Sequence, residues 1–133
     1  PNCYCGKQGC IETFLSGPGL TRDYESLTGT QLKAEAIVVA AEEGDAAAET
    51  VLTRYEDRLA RGLATVINVL DPDVIVLGGG MSNTERLYDH VPRCWGRYVF
   101  SDRVDTKLVK PMHGDSSGVR GAAWLWNNPP SLR

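Results

Sequence analysis

The longest regular pattern of apolar positions runs from Ala46 to Leu70. Apolar residues recur there at every third or fourth position, which is the spacing of one buried stripe on an α-helix. Asp45 stands immediately before the stretch as a typical N-cap residue, and Asp71-Pro72 follows it. Because proline restricts the residue before it and cannot donate a backbone hydrogen bond, the pattern predicts one long helix between these two aspartates.

Three shorter helices are predicted before the long one, over residues 11–16, 19–27 and 31–43. Glycine-containing segments separate them, and Thr30 is a candidate N-cap for the third. Residues 1–10 show no periodicity and are predicted to be a loop.

After the long helix, the chain turns to shorter apolar runs. Val74–Leu77 is continuous and rich in β-branched residues, which predicts a strand buried on both faces, as in a parallel sheet. A helix over 84–98, a second strand at 107–110 and a last helix ending at 126 complete the pattern. Two strands do not shield a sheet, so we predict a helix-rich α/β fold with only part of a sheet.

Composition narrows the class of protein. The 133 residues are 42% hydrophobic and 23% charged, with a net charge of −3, which is ordinary for one globular domain. The acidic balance disfavours nucleic-acid binding. No apolar run is long enough to cross a bilayer, and the N-terminus does not resemble a signal peptide.

Cysteine placement suggests metal binding. Cys3, Cys5 and Cys10 lie within ten residues, whereas Cys94 stands alone and is expected to be a small buried residue. Close spacing favours chelation of Zn²⁺ in a reducing compartment, so we expect a cytoplasmic protein. Disulfides or inert thiols are the alternatives. A structural zinc site needs four ligands, and the fourth is not evident.

The glycine run Gly78-Gly79-Gly80 directly follows the first strand. Backbone without Cβ lets a ligand approach closely, and ligands of α/β sheets bind beyond the carboxyl ends of strands. A nucleotide site is one interpretation, and a plain glycine-rich turn is the other. The run matches neither a Walker loop nor the Gly-x-Gly-x-x-Gly pattern.

Three further polar residues are candidates for a site. Glu12 follows the cysteine loop and could accept hydrogen bonds from sugar hydroxyls, or it could simply favour a helix start. Asp115 could bind a hydroxyl or cap the last helix. His113 is a structural histidine or a spare candidate for the fourth zinc ligand.

Taken together, these motifs resemble the ROK family (repressors, open reading frames and kinases). The resemblance is carried, in order, by Cys3-x-Cys5-Gly6-x-x-Gly9-Cys10-x-Glu12, Ser16-Gly17, Asp71-Pro72-x-Val74-Ile75-Val76-Leu77-Gly78-Gly79-Gly80 and Gly114-Asp115-x-x-Gly118-x-x-Gly121-Ala122-Ala123. The segment 113–126 looks most like the bacterial fructokinase (manno-fructokinase) branch.

The resemblance implies the C-terminal part of an actin-like, hexokinase-type (ribonuclease H-like) α/β ATPase, helix-rich with a partial mixed sheet. It implies ATP-dependent phosphorylation of a hexose, with fructose as the expected sugar, together with Mg²⁺ and Zn²⁺. Cys3, Cys5 and Cys10 would bind zinc, Glu12 would contact the sugar, and Gly78, Gly79 and Gly80 would lie by the adenosine of ATP. Full-length relatives are often dimers, so a homodimer is expected.

The resemblance also implies a division of the chain. A zinc loop at 1–10, a helical region at 11–70, a nucleotide-side unit at 71–126 and a loose tail at 127–133 would form one C-terminal domain. The family's catalytic aspartate, phosphate loop and fourth zinc ligand, a histidine, would lie upstream, so we expect this chain alone to be inactive.

Two other classes of function compete with the kinase. A ROK transcriptional repressor shares this half and adds a DNA-binding helix-turn-helix. A small zinc-stabilised interaction module is the third interpretation. The intact glycine run favours the kinase, because a repressor has no need to hold ATP.

Overall fold

A computed structural model of the protein describes residues 1–125, without the side chain of Asp115. Along this part of the chain lie α1 (Gly17–Thr28), α2 (Ala34–Glu42), α3 (Ala46–Leu70), β1 (Val74–Val76), α4 (Leu87–Trp95), β2 (Lys107–Val109) and α5 (Ser117–Trp124). Short 3-10 turns occupy Ile11–Thr13, Gly80–Asn83 and Gly114–Ser116. The tail expected at 127–133 and the last residue of the final helix, expected at 126, lie outside the described residues.

Helix α3 is the centre of the fold, and its predicted bounds are confirmed. Asp45 caps it, because the Asp45 carboxylate accepts a hydrogen bond from the Ala48 N–H at 2.6 Å. The helix ends where Asp71 adopts a left-handed conformation, with φ 43°, directly before Pro72. Helices α1, α2 and α4 all pack along α3, so its buried stripe organises the core.

The core residues come from every helix of this layer. The fully buried large side chains are Leu20, Ile37, Val51, Leu52, Leu87 and Val91. Each large aliphatic side chain removed from water contributes roughly 1.5–3 kcal/mol. The packed helices therefore account for most of the apolar burial in the described residues.

The first two helices begin at different residues from those predicted. The segment predicted as a helix at 11–16 is a 3-10 turn, and α1 already starts at Gly17 because the Ser16 hydroxyl accepts from the Gly19 N–H at 3.1 Å. Gly29, with φ 73°, ends α1 in the left-handed conformation.

Thr30 does not cap α2. That helix starts at Ala34 after Lys33, whose side chain makes no capping hydrogen bond. The Thr28 hydroxyl instead accepts from the Thr30 N–H at 3.1 Å and contacts the Thr30 carbonyl at 3.3 Å. Thr30 is thereby bound into the turn that follows α1.

The sheet of the described residues consists of β1 and β2, paired in parallel with Ile75 opposite Leu108. It is a small parallel sheet, where a partial mixed sheet was expected. The prediction that β1 is buried on both faces is wrong for this part of the chain. Helices cover only the side that carries Ile75 and Leu108, so Val74 and Val76 on the other side are 48% and 56% exposed.

Helix α4 is shorter than the predicted 84–98. A turn joins the glycine run to Leu87, and after Trp95 the chain leaves the helix through another turn. Pro92 lies inside α4. Within residues 1–125, no helix combines the length and the apolar character needed to span a membrane.

Candidate functional site

The first ten residues form a tight loop that gathers the cysteines. Asn2 and Gln8 face each other in an isolated antiparallel bridge, and the Gln8 amide donates to the Asn2 side chain at 3.1 Å. Gly6 and Gly9 have φ of 81° and 68°, which other residues rarely adopt. The Cys3 N–H donates to the Lys7 carbonyl at 2.8 Å and closes the loop.

The three thiol sulfurs converge on one point. All of them lie within 4.8 Å of one another, and the Cys5 and Cys10 sulfurs are 3.6 Å apart. Tetrahedral zinc with Zn–S bonds of about 2.3 Å separates its sulfurs by about 3.8 Å. Cys3, Cys5 and Cys10 are free thiols in this structure. Their donor set and spacing fit three of the four positions around a zinc ion.

The loop also shifts the pKa values of two of the thiols in opposite directions. The pKa of the Cys5 thiol is lowered, first by the backbone N–H of Lys7 and then by hydrogen bonds from Cys3 and Cys10. The pKa of the Cys10 thiol is raised by its hydrogen bonds to Cys5 and Cys3. Of these two thiols, Cys5 therefore more readily carries the thiolate charge that metal ligation requires.

The fourth ligand is not found among the described residues. Within residues 1–125, no histidine or carboxylate joins the three sulfurs in one cluster. His90 instead contacts Glu56 at 3.1 Å across the α3–α4 interface. His113 precedes the 3-10 turn that follows β2.

Glu12 is held directly after the cysteine loop. It lies in the 3-10 turn Ile11–Thr13, where the buried Thr13 donates from its hydroxyl to the Cys10 carbonyl at 2.6 Å. The Ser16 hydroxyl donates to the Glu12 carbonyl at 2.7 Å. These hydrogen bonds fix the backbone at Glu12, so the position of Glu12 depends on that of the cysteine loop. The Glu12 side chain itself stays exposed.

Glu12 and the glycine run line one cavity. Its volume is about 380 Å³, which is within the usual size range for small-molecule sites. Its walls are formed by Glu12, Leu15, Ser16, Gly17, Pro18, Glu35, Gly78, Gly79, Gly80 and Met81. The fold thus brings together the residue interpreted as a sugar ligand and the residues interpreted as a nucleotide turn.

The glycine run faces open space. Among the described residues, a Cβ added at Gly78, Gly79 or Gly80 would meet no atom within 4 Å. Gly79 has φ 78° and ψ 178°, a conformation that requires glycine. Because the run leaves the carboxyl end of β1, it is where a parallel sheet offers backbone to a ligand.

A second cavity of about 230 Å³ extends this groove along α2. It shares Glu35, Gly80 and Met81 with the first cavity. Sequence reasoning missed Glu35 and Met81, since no spacing along the chain relates the first turn of α2 to the glycine run. Only the packing of α2 beside that run places them together.

Tyr55 on α3 is influenced by the same site. Burial raises the pKa of the Tyr55 hydroxyl to about 12, and the negative charge of Glu12 adds to that effect. The Tyr55 side chain is only 3% exposed. Tyr55 therefore remains a neutral hydroxyl at physiological pH.

A larger cavity, of about 520 Å³, lies at the opposite end of the sheet, around Asp71, Asp73 and Thr106. It adjoins the amino ends of β1 and β2. Parallel sheets bind ligands at the carboxyl ends of their strands, so the smaller groove beside the glycine run is the better candidate site.

The loops after the two strands also meet. The turn Gly114–Ser116 contacts the turn Gly80–Asn83, as expected for parallel strands whose carboxyl ends share one edge. Asp115 belongs to the first of these turns, but its side chain is outside the described part of the structure, so its role stays a prediction.

Comparison with known proteins shows that the chain is similar to part of several sugar kinases. It is 42% identical over 123 residues to an N-acetyl-D-glucosamine kinase of Vibrio atlanticus, covering 92% of this chain. A ROK family glucokinase from Streptomyces griseus, solved with glucose and AMPPNP, superposes with a TM-score of 0.80 at 26% identity over 93% of this chain and 46% of the other.

A ROK family transcriptional regulator, a homologue of the E. coli MLC protein, is also similar. It superposes with a TM-score of 0.68 at 28% identity, over 83% of this chain and 31% of the regulator. Fold similarity alone therefore does not separate kinases from regulators.

The chain spans only 41% of the length of the Vibrio atlanticus protein. The ROK family pattern itself matches residues 1–129, which is nearly the whole chain, and the solved relatives share its actin-like, hexokinase-type ATPase fold. The chain belongs to the ROK family.

Proposed function

We propose that this chain is the C-terminal, nucleotide- and zinc-binding part of an ATP-dependent hexose kinase. The observation that supports this proposal is the shared cavity, which is lined by the Glu12 carboxylate and by Gly78-Gly79-Gly80. A sugar acceptor and a nucleotide donor must lie side by side for phosphoryl transfer, since positioning supplies much of the rate.

The chemistry of the two walls suits the two substrates. Glu12 offers carboxylate oxygens, which accept hydrogen bonds from sugar hydroxyls. The glycine run offers backbone that a nucleotide can approach closely. ATP with Mg²⁺ would supply the phosphoryl group when bound. A catalytic aspartate that removes the proton from the attacking hydroxyl is proposed to lie outside residues 1–133, so this chain alone would be inactive.

Zinc is proposed to act structurally rather than in catalysis. Cys3, Cys5 and Cys10 would hold the ion, and the turn that carries Glu12 begins immediately after Cys10. A metal-stabilised loop would therefore keep the Glu12 carboxylate in place. The remaining zinc position would be filled by a histidine from outside this chain.

The sugar is proposed to be a hexose, with two candidates. The segment 113–126 resembles fructokinases and favours fructose. The 42% identity to an N-acetyl-D-glucosamine kinase supports the amino sugar, so both are to be tested beside glucose. A cytoplasmic homodimer, with neither nucleic acid nor membrane as partner, is the proposed setting.

The test is a coupled ADP-release assay on the product of the complete gene. We expect phosphorylation of at least one hexose, and we expect Glu12→Gln to raise KM for the sugar at least tenfold with a small change in KM for ATP. Glu25→Gln, on the exposed side of α1, is the matched control and should change neither. If none of the three sugars is phosphorylated, the kinase proposal is contradicted.

The second candidate function is a sugar-responsive transcriptional regulator, which the similarity to the MLC homologue supports. The coding sequence upstream of this chain separates the two functions. A kinase should encode an aspartate-bearing catalytic segment there, whereas a regulator should encode a helix-turn-helix.

A further inference from the structure

Ser82 forms hydrogen bonds to the backbone of the glycine run from inside the protein. Its side chain is buried, with 2% of the residue exposed. The Ser82 hydroxyl donates to the Gly79 carbonyl at 2.6 Å, and the Ser82 N–H donates to the same oxygen at 3.0 Å. Two donors on one carbonyl fix the plane of the peptide bond between Gly79 and Gly80.

Fixing that peptide determines where its N–H points. The peptide bonds of the described residues are all trans, and a trans peptide is planar, with its carbonyl and N–H directed to opposite sides. Because the Gly79 carbonyl faces Ser82, the Gly80 N–H faces away from Ser82. Gly80 lines both cavities of the groove, and an N–H at the start of a helical turn has no partner within that turn.

Tyr88 secures Ser82 in turn. The Tyr88 hydroxyl donates to the Ser82 carbonyl at 2.7 Å from the first half of α4. The Lys110 ammonium lies 5.6 Å from the centre of the Tyr88 ring, and Lys110 also pairs with Glu85. The glycine run is therefore connected by hydrogen bonds to α4 and, through Lys110, to the segment after β2.

We propose that Ser82 and Tyr88 are positioning residues that direct the Gly79–Gly80 peptide N–H toward the bound nucleotide. Neither side chain is among those that line the cavity shared with Glu12, so both act through the glycine run. The proposal rests on the proposed nucleotide site and adds the side chains that hold it in a binding conformation.

The test separates nucleotide binding from sugar binding and from stability. In the complete gene product, Ser82→Ala and Tyr88→Phe should each weaken ATP binding, measured by calorimetry, about three- to tenfold, the effect of one lost hydrogen bond. KM for the sugar should change less than twofold. The amide resonance of Gly80 should shift in both variants.

Matched controls remove the same groups elsewhere. Ser26→Ala deletes a hydroxyl that donates to the Arg22 carbonyl at 2.8 Å, and Tyr98→Phe deletes one that donates to Asp57 at 2.6 Å. Both should leave ATP binding unchanged.

Two outcomes would overturn the positioning role. One is ATP binding in Ser82→Ala and Tyr88→Phe that equals wild type, and the other is an equal loss of ATP and sugar affinity. A different result would contradict the proposed function. That result is a wild-type protein that binds ATP but phosphorylates no hexose. In that case, calorimetry on the variants still decides the role of Ser82 and Tyr88.

Discussion

Glu56 on α3 and Arg86 before α4 form an ion pair, with 2.5 Å between Arg86 Nε and Glu56 Oε1. The Glu56 side chain is 4% exposed and that of Arg86 is 16% exposed. Arg86 also makes two bonds to Glu49, at 2.6 and 2.9 Å. Since Arg86 lies between the glycine run and α4, this pair fixes the end of the segment that leaves the candidate nucleotide site.

Arg86→Gln should lower the free energy of unfolding by about 3–5 kcal/mol, because it leaves the buried Glu56 carboxylate without its cation. Urea denaturation measures the change. Arg103→Gln is the control, since Arg103 and Asp105 form a pair that is 77% and 71% exposed and should contribute less than about 1 kcal/mol. Equal effects of the two substitutions would contradict the structural role of the buried pair.

The contact between Glu49 and Arg86 should make stability depend on pH. Hydrogen bonding to Arg86 lowers the pKa of Glu49 below its ordinary value of 4.5. A lowered pKa in the folded state gives a contribution that is present above pH 4.5 and is lost as pH falls through the folded pKa. The difference in unfolding free energy between wild type and Glu49→Gln should therefore become smaller as the pH is lowered from 6 to 3. A difference that is constant over this range would exclude the linkage.

Asp45→Ala should destabilise the protein by about 1 kcal/mol, because it removes the side-chain cap of α3. Thr30→Ala should change stability by less than about 0.5 kcal/mol, because α2 starts at Ala34 and Thr30 does not cap it. Thermal unfolding of both variants measures the two effects. If Thr30→Ala costs as much as Asp45→Ala, α2 begins earlier than the structure shows.

Gly19→Ala should destabilise the protein although alanine favours helices by about 1 kcal/mol. A Cβ at Gly19 would lie 2.9 Å from the Thr13 carbonyl oxygen and 3.0 Å from that of Phe14. The comparison is Gly121→Ala in α5, which should be neutral or stabilising, because a Cβ there meets no atom of residues 1–125 within 4 Å. A stabilising Gly19→Ala would show that the turn after Glu12 is not packed against α1.

Metal binding by the cysteine loop should be weak in this chain alone, because three sulfurs leave one zinc position without a ligand among the described residues. We expect less than one zinc per chain after dialysis. Cys10→Ser should weaken Co²⁺ binding, followed by its thiolate absorption, by at least about tenfold, and Cys94→Ser should not change it. One tightly held zinc per chain would contradict this prediction and would show that a fourth ligand is present, from residues 1–133, from water or from a neighbouring chain.

Local patterns predicted much of the fold. The bounds of α3 follow from its apolar stripe, from Asp45 and from Pro72, which all act within a few residues. The position of β1 follows in the same way from its β-branched run. The start of α2 was not predicted, because α2 begins after Lys33, which is not a typical N-cap residue and makes no capping hydrogen bond. The exposure of Val74 and Val76 was also not predictable, because burial depends on which elements cover each face of the sheet.

The sequence by itself determined the cysteine loop, the glycine run and the family. Each of these depends on residue types and spacings within short segments of the chain. Only the tertiary structure decided that Glu12, Glu35 and the glycine run share one groove. These residues come from the segment before α1, the first turn of α2 and the end of β1. They meet because α1, α2 and α4 pack around α3, and no local pattern encodes how distant segments are arranged by that packing.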